Sequence, residues 1–356
     1  MNTQEIIKKL NLEQKCALLS GATTFGTRAL PKNNIPSITL SDGPNGVRKQ
    51  AGAADHLGLN PSVPATCFPT AATVACSWDP ALGEQIGQAM GEEAAAQEVA
   101  VLLGPGLNTK RSPLCGRNFE YFSEDPYLSG KMAAGYVRGI QSNGISACPK
   151  HFAVNSQELR RMASDSVVDE RTLRELYLTG FEIVVKEAKP KTIMSSYNLI
   201  NGTYANENRH LLMDILRGEW GFDGAVITDY CDHHSYMNGD QALRAGGSLW
   251  MAGFIGGKMA FETGSNSYMQ ALRRATKETL YMYLHVRVTN RDYADSIGDT
   301  TAVRHAFTTS VFGWRHLVAL IDLVAVALFA LAIRGIVRDV KLYKAAKAAR
   351  AENKNA

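Results

Sequence analysis

Asp229 closes the apolar run 226–230 (VITDY) and is a candidate nucleophile. Gly224 precedes the run and the polar residues 231–234 (CDHH) follow it, which is typical of a buried strand that ends in a loop. A carboxylate in that position can attack an electrophilic carbon and hold it as a covalent intermediate. The alternative is that Asp229 caps a following helix, as aspartates commonly do after strands.

Three further strand-like runs, 38–41, 145–148 and 192–196, also end in side chains that can bind a polar ligand. The residues that follow them are, in order, Asp42, then Lys150 and His151, then Tyr197. Taken singly, each has an ordinary structural alternative: a turn at Asp42, a solvated strand end at Lys150 and a core position for Tyr197. The repetition of the pattern is what favours a shared site.

Helical patterns lie between these runs. Residues 170–186 carry apolar side chains at helical spacing, and Asp79 and Asp125 are N-cap residues that each precede a proline at the first helical position. Alternating strands and helices with polar strand ends predict an α/β fold, a TIM-like (β/α)8 barrel. In such a barrel the functional side chains gather at the carboxyl ends of the parallel strands.

Six ordered motifs resemble those of the barrel domain of glycoside hydrolase family 3, and its β-glucosidase branch most closely. The motifs are 41–48 (SDGPNGVR), 110–120 (KRSPLCGRNFE), 123–126 (SEDP), 150–152 (KHF), 194–198 (MSSYN) and 219–224 (EWGFDG). Six motifs in the same order and spacing are far more specific than any single one. The resemblance covers residues 1–253, which we predict to be the barrel domain.

The resemblance implies a retaining glycoside hydrolase with Asp229 as nucleophile, acting on a β-linked oligosaccharide or glycoside that ends in glucose or a similar sugar. It also implies that the walls of the sugar pocket are Asp42, Arg48, Arg117, Lys150, His151, Arg161 and Tyr197. Such a set suits a sugar, because a carboxylate accepts hydrogen bonds from hydroxyls while lysine, histidine and arginine donate them. The same cations are expected to keep Asp229 ionised at neutral pH. Arg117 or Arg161, taken alone, would be interpreted as a surface residue.

A retaining glycosidase also needs a second carboxyl group, about 5–5.5 Å from the nucleophile, to protonate the departing oxygen. In the β-glucosidases that this chain resembles, that glutamate belongs to a separate sandwich domain, which we expect either upstream in cis or in trans. The loop 153–158 lacks the histidine that does this work in the N-acetylglucosaminide branch. Glu120 and Glu158 remain alternatives, although glutamates beside arginines more often form salt bridges. The rival interpretation is a catalytically weak or vestigial, membrane-anchored protein that binds sugar without turning it over.

Residues 314–337 are predicted to form a transmembrane helix, because about 20 residues there are apolar apart from Asp322. Asp322 favours the alternative, a helix that lies on the membrane surface. From Arg334 onward seven basic residues oppose two acidic ones, so the net charge of +4 belongs to this end of the chain. A basic tail, 338–356, predicts a cytoplasmic C-terminus and an extracellular barrel rather than a nucleic-acid surface. Residues 254–313 are expected to contain a barrel-closing loop, a helix over 266–285 and a connector.

The sequence opens from Met1 into an amphipathic helix without an apolar signal region, which conflicts with an extracellular barrel. The interpretation that reconciles the two is a carboxyl-terminal part of a longer protein whose sandwich domain precedes the barrel. Six cysteines show no paired C-x-x-C spacing and predict no disulfide framework. Asp229, Cys231, His233 and His234 could ligate a metal, but without further ligands we expect neither a metal nor a cofactor.

Overall fold

Residues 3–52, 59–231, 236–251, 264–290, 320–341 and 344 are described in the computed structural model. The chain divides into two units, Met1–Thr300 and Thr301–Ala356. The strands of the first unit are β1 (Gly21–Thr23), β2 (Gly26–Thr27), β3 (Thr39–Asp42), β4 (Val99–Leu103), β5 (Ser146–Ala147), β6 (Asp165–Ser166), β7 (Thr192–Met194), β8 (Leu199–Ile200), β9 (Thr203–Tyr204) and β10 (Ala225–Ile227).

The helices of the first unit are α1 (Thr3–Lys9), α2 (Leu12–Leu18), α3 (Ala71–Ala75), α4 (Pro80–Ala96), α5 (Pro126–Gln141), α6 (Glu170–Thr172), α7 (Thr179–Ala188), α8 (Gly239–Ala245) and α9 (Asn266–Leu284), with short 3-10 turns at Pro31–Asn33 and Asn118–Glu120 and π-helical segments at Leu173–Leu178 and His210–Glu219. The two predicted N-caps are confirmed. Asp79 accepts a hydrogen bond from the backbone of Ala81 at the start of α4, and Asp125 accepts one from Leu128 at the start of α5.

Parallel strands form the wall that carries the predicted site. Strands β3, β4 and β5 are parallel neighbours, and β7 pairs in parallel with β10. The two groups are joined where Met194 donates a backbone hydrogen bond of 3.0 Å to the carbonyl of Pro149, directly after β5. All five residues of β4 are buried, as expected for a strand covered on both faces. The arrangement agrees with the predicted α/β fold with parallel strands.

One strand of the wall departs from the prediction of eight parallel strands. β2 runs antiparallel to both β1 and β3. Only Thr24 and Phe25 separate β1 from β2, whereas a parallel connection needs a crossover of a dozen or more residues. The short link therefore imposes a hairpin.

The predicted helix over 170–186 is present, but its middle turn is wider than an α-helix. α6, the π-helical segment Leu173–Leu178 and α7 follow one another without a break and end at Ala188. Leu173, Phe181 and Val184 are buried as the helical spacing indicates, whereas Leu176 is 45% exposed. A π-helical turn holds an extra residue, so it rotates the helix face and brings Leu176 out of the apolar stripe.

α9, the helix expected over 266–285, packs within the first unit through a buried ion cluster. Glu278 on this helix lies 2.9 Å from Arg217 and 2.7 Å from Arg274, and the hydroxyl of Ser248 donates a 2.7 Å hydrogen bond to the same carboxylate oxygen. Ser248 also accepts a hydrogen bond from the backbone of Val226 in β10. The cluster therefore holds the strand that leads to Asp229.

In the second unit the described part is a helix, α10 (Leu320–Lys341), of 22 residues with a mean hydropathy of 2.4 in its most apolar window. At 1.5 Å per residue it is about 33 Å long, enough to cross the hydrocarbon core of a bilayer. By length and composition it is a candidate span, and within the described ranges it is the one helix that qualifies. It continues four residues beyond the predicted end at Val337, while residues 314–319 lie outside the described part.

Candidate active site

A cavity of about 560 Å³ opens at the carboxyl ends of the parallel strands. Seven of the eight predicted site residues line it: Asp42, Arg117, Lys150, His151, Arg161, Tyr197 and Asp229. Asp42 ends β3, Lys150 and His151 follow β5, Tyr197 follows β7 and Asp229 follows β10. Because parallel strands deliver their carboxyl ends to one face, residues far apart in sequence meet there, as predicted.

Asp229 is held by its own loop and faces the cavity. Its Oδ1 accepts a 2.7 Å hydrogen bond from the backbone N–H of Tyr230. Its Oδ2 lies 3.7 Å from Nε2 of His151 and has no hydrogen-bond partner among the residues that the structure describes. The side chain is 15% exposed. One carboxylate oxygen is thus anchored, and the other is buried next to His151 without a hydrogen bond.

Burial raises the pKa of the Asp229 carboxyl, and this is the largest effect on that group. The positive charges of Arg161, Arg117 and Lys150 and the N–H of Tyr230 act in the opposite direction. The sequence-based prediction considered only the cations. They act in the expected sense, but the low polarity of the site opposes them.

His151 is neutral and its main chain is fixed. Burial lowers the pKa of the ring well below its usual value, and the charges of Arg117, Lys150 and Arg161 lower it further. Nδ1 lies 3.2 Å from the hydroxyl of Tyr121. The side-chain amide of Asn108 holds the backbone of His151 through two hydrogen bonds. Its oxygen accepts from the N–H of His151 at 2.7 Å, and its nitrogen donates to the carbonyl of His151 at 2.8 Å.

Arg161 and Tyr197 form one wall of the cavity. The guanidinium of Arg161 lies over the ring of Tyr197, 4.5 Å from the ring centre, and makes a 3.0 Å ion pair with Glu158. The hydroxyl of Tyr197 donates a 2.5 Å hydrogen bond to the carbonyl of Tyr230, next to Asp229. The stack thus fixes a cation beside the candidate nucleophile.

Arg48 is the one predicted site residue that does not line this cavity. Its backbone N–H donates a 2.8 Å hydrogen bond to the carbonyl of Asp42, whose carboxylate accepts from Lys150 at 3.2 Å. The exposed side chain of Arg48 lines a second cavity of about 550 Å³, which shares Asp42, Arg117 and Lys150 with the first. The sequence placed Arg48 near the site but could not show on which side of Asp42 it lies.

Glu120 and Glu158, the two glutamates considered as the catalytic acid, both form ion pairs, which was the alternative interpretation from the sequence. Glu158 pairs with Arg161 and lines the first cavity, whereas the nearly fully buried Glu120 pairs with Arg117 and lines the second. Burial raises the pKa of Glu158, partly offset by Arg117 and Arg161.

Sequence reasoning missed the apolar side of the cavity. The residues concerned are Thr24, Phe25, Leu103, Met162, Met194, Tyr230 and Met251. Tyr230 could have been found because it directly follows Asp229, but no motif marks the Thr24–Phe25 hairpin link. Within the described ranges no group of three His, Cys, Asp or Glu side chains could hold a metal ion, while His233 and His234 lie outside those ranges.

The sequence pattern of the Glycosyl hydrolase family 3 N terminal domain matches residues 51–254. The chain belongs to glycoside hydrolase family 3. Its relatives include the thermostable beta-glucosidase B of Acetivibrio thermocellus, 54% identical over 230 residues, which are 65% of this chain and 30% of the relative. An exo-alpha-(1->6)-L-arabinopyranosidase of Bifidobacterium longum is 49% identical over 234 residues, 65% of this chain and 31% of that enzyme.

A solved structure of beta-glucosidase 3B from Thermotoga neapolitana, in complex with alpha-D-glucose, superposes on this family 3 chain with a TM-score of 0.72. The match has 35% sequence identity and covers 85% of this chain and 45% of that one. The chain therefore spans about a third of the length of the curated relatives it matches and less than half of this structure.

Proposed function

We propose that this family 3 chain takes part in retaining hydrolysis of terminal β-linked glucose, or of a similar sugar, with Asp229 as nucleophile. The observation that carries the proposal is that Asp229 lines the cavity while its buried Oδ2 has no hydrogen-bond partner among the described side chains. Around it stand groups that accept and donate as sugar hydroxyls require. The relatives named beta-glucosidase support the substrate class.

In this mechanism the carboxylate of Asp229 attacks the anomeric carbon as the bond to the leaving oxygen breaks, which gives a glycosyl-aspartate ester. Water then hydrolyses the ester with net retention. Asp42 accepts hydrogen bonds from sugar hydroxyls, while Lys150, Arg117 and Arg161 donate them and favour the ionised nucleophile. Arg48 would contact the sugar only at the side of Asp42 that faces the second cavity.

We further propose that the acid/base group comes from a sandwich domain, in cis or in trans. The ion pairs of Glu120 and Glu158 support this, because each carboxylate is already engaged by an arginine. They equally favour the second candidate function, a vestigial sugar-binding protein. We propose in addition that α10 is a single membrane span, with the basic tail in the cytoplasm and the barrel outside. We also propose that the strand wall closes into a barrel between Trp250 and Leu19, whose backbones are joined by a 2.9 Å hydrogen bond.

A 2-deoxy-2-fluoro-glucoside with a dinitrophenolate leaving group tests the nucleophile. The good leaving group needs little protonation, so the full chain should form an adduct even without the acid/base group. Peptide mass mapping should place the adduct on Asp229, and Asp229→Asn should form none. An adduct on another residue would refute the assignment, and binding of glucose without any adduct would favour the vestigial protein.

The acid/base proposal is tested with cellobiose. General acid catalysis contributes about 10²–10⁴-fold and matters most for a poor leaving group such as glucose. We therefore expect slow cleavage of cellobiose by this chain and a gain of that order when a sandwich domain is fused ahead of it. Cleavage at ordinary β-glucosidase rates without the added domain would overturn the proposal and return attention to Glu158.

A further inference from the structure

A chain of hydrogen bonds runs from Glu158 through Asn155 and Tyr121 to His151, whose ring lies beside Asp229. Asn155 donates from Nδ2 to Oε1 of Glu158 at 3.4 Å and also to the hydroxyl of Tyr121 at 3.4 Å. That hydroxyl lies 3.2 Å from Nδ1 of His151. Nε2 of the same ring lies 3.7 Å from Oδ2 of Asp229. Asn155, Tyr121 and His151 are all buried to 1% exposure or less.

The charge of Glu158 determines which group donates and which accepts in each hydrogen bond of this series. An ionised carboxylate can only accept hydrogen bonds, so it requires the NH₂ group of Asn155, rather than the amide oxygen, to face it. The same NH₂ group then donates to Tyr121. Since the oxygen of Tyr121 is occupied as an acceptor, its single proton points to Nδ1 of His151. Burial raises the pKa of Tyr121, so the phenol keeps that proton.

The order of donors and acceptors along these hydrogen bonds decides which ring nitrogen of His151 carries the proton. A neutral imidazole carries one N–H, and the nitrogen that accepts a hydrogen bond cannot carry it. With Nδ1 as acceptor the proton is on Nε2, the nitrogen that faces Asp229. The opposite tautomer would set two acceptors, Nε2 and Oδ2, against each other.

We propose that Glu158 is a positioning residue: through Asn155 and Tyr121 it fixes the Nε2–H tautomer of His151, so that the ring presents a donor to Asp229 and to the sugar bound beside it. Glu158 also lines the cavity, but the role proposed for it acts through these two side chains. The consequence for catalysis rests on the proposed function, but the tautomer does not, and the two are measured separately.

The tautomer is read from the ¹⁵N chemical shifts of His151 in the full chain, labelled with ¹⁵N-histidine and held in detergent micelles. The chain has eight histidines, so the signal is assigned by its loss in His151→Gln. We expect wild type to carry the proton on Nε2. Tyr121→Phe removes the donor to Nδ1 without touching Glu158 or Arg161, and we expect it to give a mixture of tautomers.

Glu158→Gln tests whether the carboxylate of Glu158 orients the amide of Asn155. The ion pair with Arg161 draws the glutamine oxygen to the guanidinium and leaves its NH₂ group facing Asn155, whose amide must then turn. We expect a mixture of tautomers here as well. Glu182→Gln, which removes the partner of Lys186 on the surface of α7, is the matched control and should leave His151 unchanged. If Glu158→Gln fails to fold, Tyr121→Phe alone still decides the outcome.

An Nδ1–H tautomer in wild type, or an unchanged tautomer in Tyr121→Phe, would overturn the proposal. So would an unchanged tautomer in a folded Glu158→Gln. In parallel, release of dinitrophenolate from an activated glucoside should fall about three- to tenfold in kcat/KM in either variant, because one neutral hydrogen bond is lost from the site. Their combination should lose no more than the larger single effect, since both interrupt one chain. If the tautomer shifts in the variants as expected but the wild-type chain has no activity on the activated glucoside, the tautomer proposal stands and only the proposed function is refuted.

Discussion

The guanidinium of Arg161 lies over the ring of Tyr197, with 4.5 Å between its central carbon and the ring centre. Arg161 lies in the loop between β5 and β6 and Tyr197 follows β7, so the contact joins segments that follow two neighbouring strands. The pair also combines geometry and charge: Tyr197 holds the carbonyl of Tyr230, while the charge of Arg161 partly offsets the rise in the pKa of Asp229 that burial causes. A positive charge alone would supply the second effect but not the first.

Replacing Arg161 should therefore separate stacking from charge. Arg161→Lys keeps the charge but lacks the planar group, and we expect kcat/KM on an activated glucoside to fall about tenfold. Arg161→Ala should fall about a hundredfold, since it also removes a donor to the sugar and a cation beside the nucleophile. Arg171→Ala, on an arginine that is 83% exposed, is the control and should behave as wild type. Equal losses in Lys and Ala variants would show that stacking contributes everything and charge nothing.

The raised pKa of Asp229 predicts that its neutralisation stabilises the fold. A carboxyl whose pKa is higher in the folded than in the unfolded state destabilises the protein when ionised, so the penalty is absent below the unfolded pKa of about 3.9 and complete above the folded pKa. Asp229→Asn should thus raise the Tm at pH 7 and lose this advantage as the pH falls toward 4. Thermal melts across pH 4–8 measure it.

Asp169 provides the control of opposite sign for that experiment. Its pKa is lowered by hydrogen bonds from Thr172 at the start of α6. The stability it contributes is present above the unfolded pKa and is lost as the pH falls through the folded one. Asp169→Asn should accordingly lower the Tm slightly at pH 7, with a difference that narrows in acid. The same sign for both variants would contradict the account of Asp229.

The ion cluster around Glu278 should be essential for the stability of the first unit. Burial lowers the pKa of Arg217 to about 10, and the charge of Glu278 counteracts that effect. Glu278→Gln leaves two arginines without their counter-charge, and removing one partner of a buried pair costs about 3–5 kcal/mol. We expect a large fall in Tm. Glu175→Gln, in an exposed pair with Arg171, should change the free energy of unfolding by less than about 1 kcal/mol; a similar loss in both variants would mean that the cluster is not energetically special.

Membrane attachment should depend on α10. The full chain should partition into the detergent phase on Triton X-114 separation, and a chain that ends at Thr300, the boundary of the first unit, should remain in the aqueous phase. Alkaline carbonate extraction then distinguishes a span, which resists it, from a surface helix, which is released. Recovery of the full chain in the aqueous phase would contradict both.

The sequence by itself determined the chemistry and the order of the elements. Asp42, Lys150, His151, Tyr197 and Asp229 each follow an apolar run that is too short for a helix, and strands of one parallel wall must end at the same face. Helix starts were equally local, since the side chains of Asp79 and Asp125 each accept a hydrogen bond from a backbone N–H in the first turn of their own helix. The family motifs added roles to positions that this pattern had already brought together.

Only the tertiary structure decided how the residues meet. Three features depend on segments distant in sequence: the direction in which Arg48 points, the buried pairing of Glu278 with Arg217, and the passage of the hydrogen-bond chain from Glu158 to His151 through Tyr121. Burial is also a property of the whole fold, which is why the cations around Asp229 could be predicted and the net direction of its pKa could not. Local patterns specify which groups are present, whereas desolvation and contact arise only when the chain is packed.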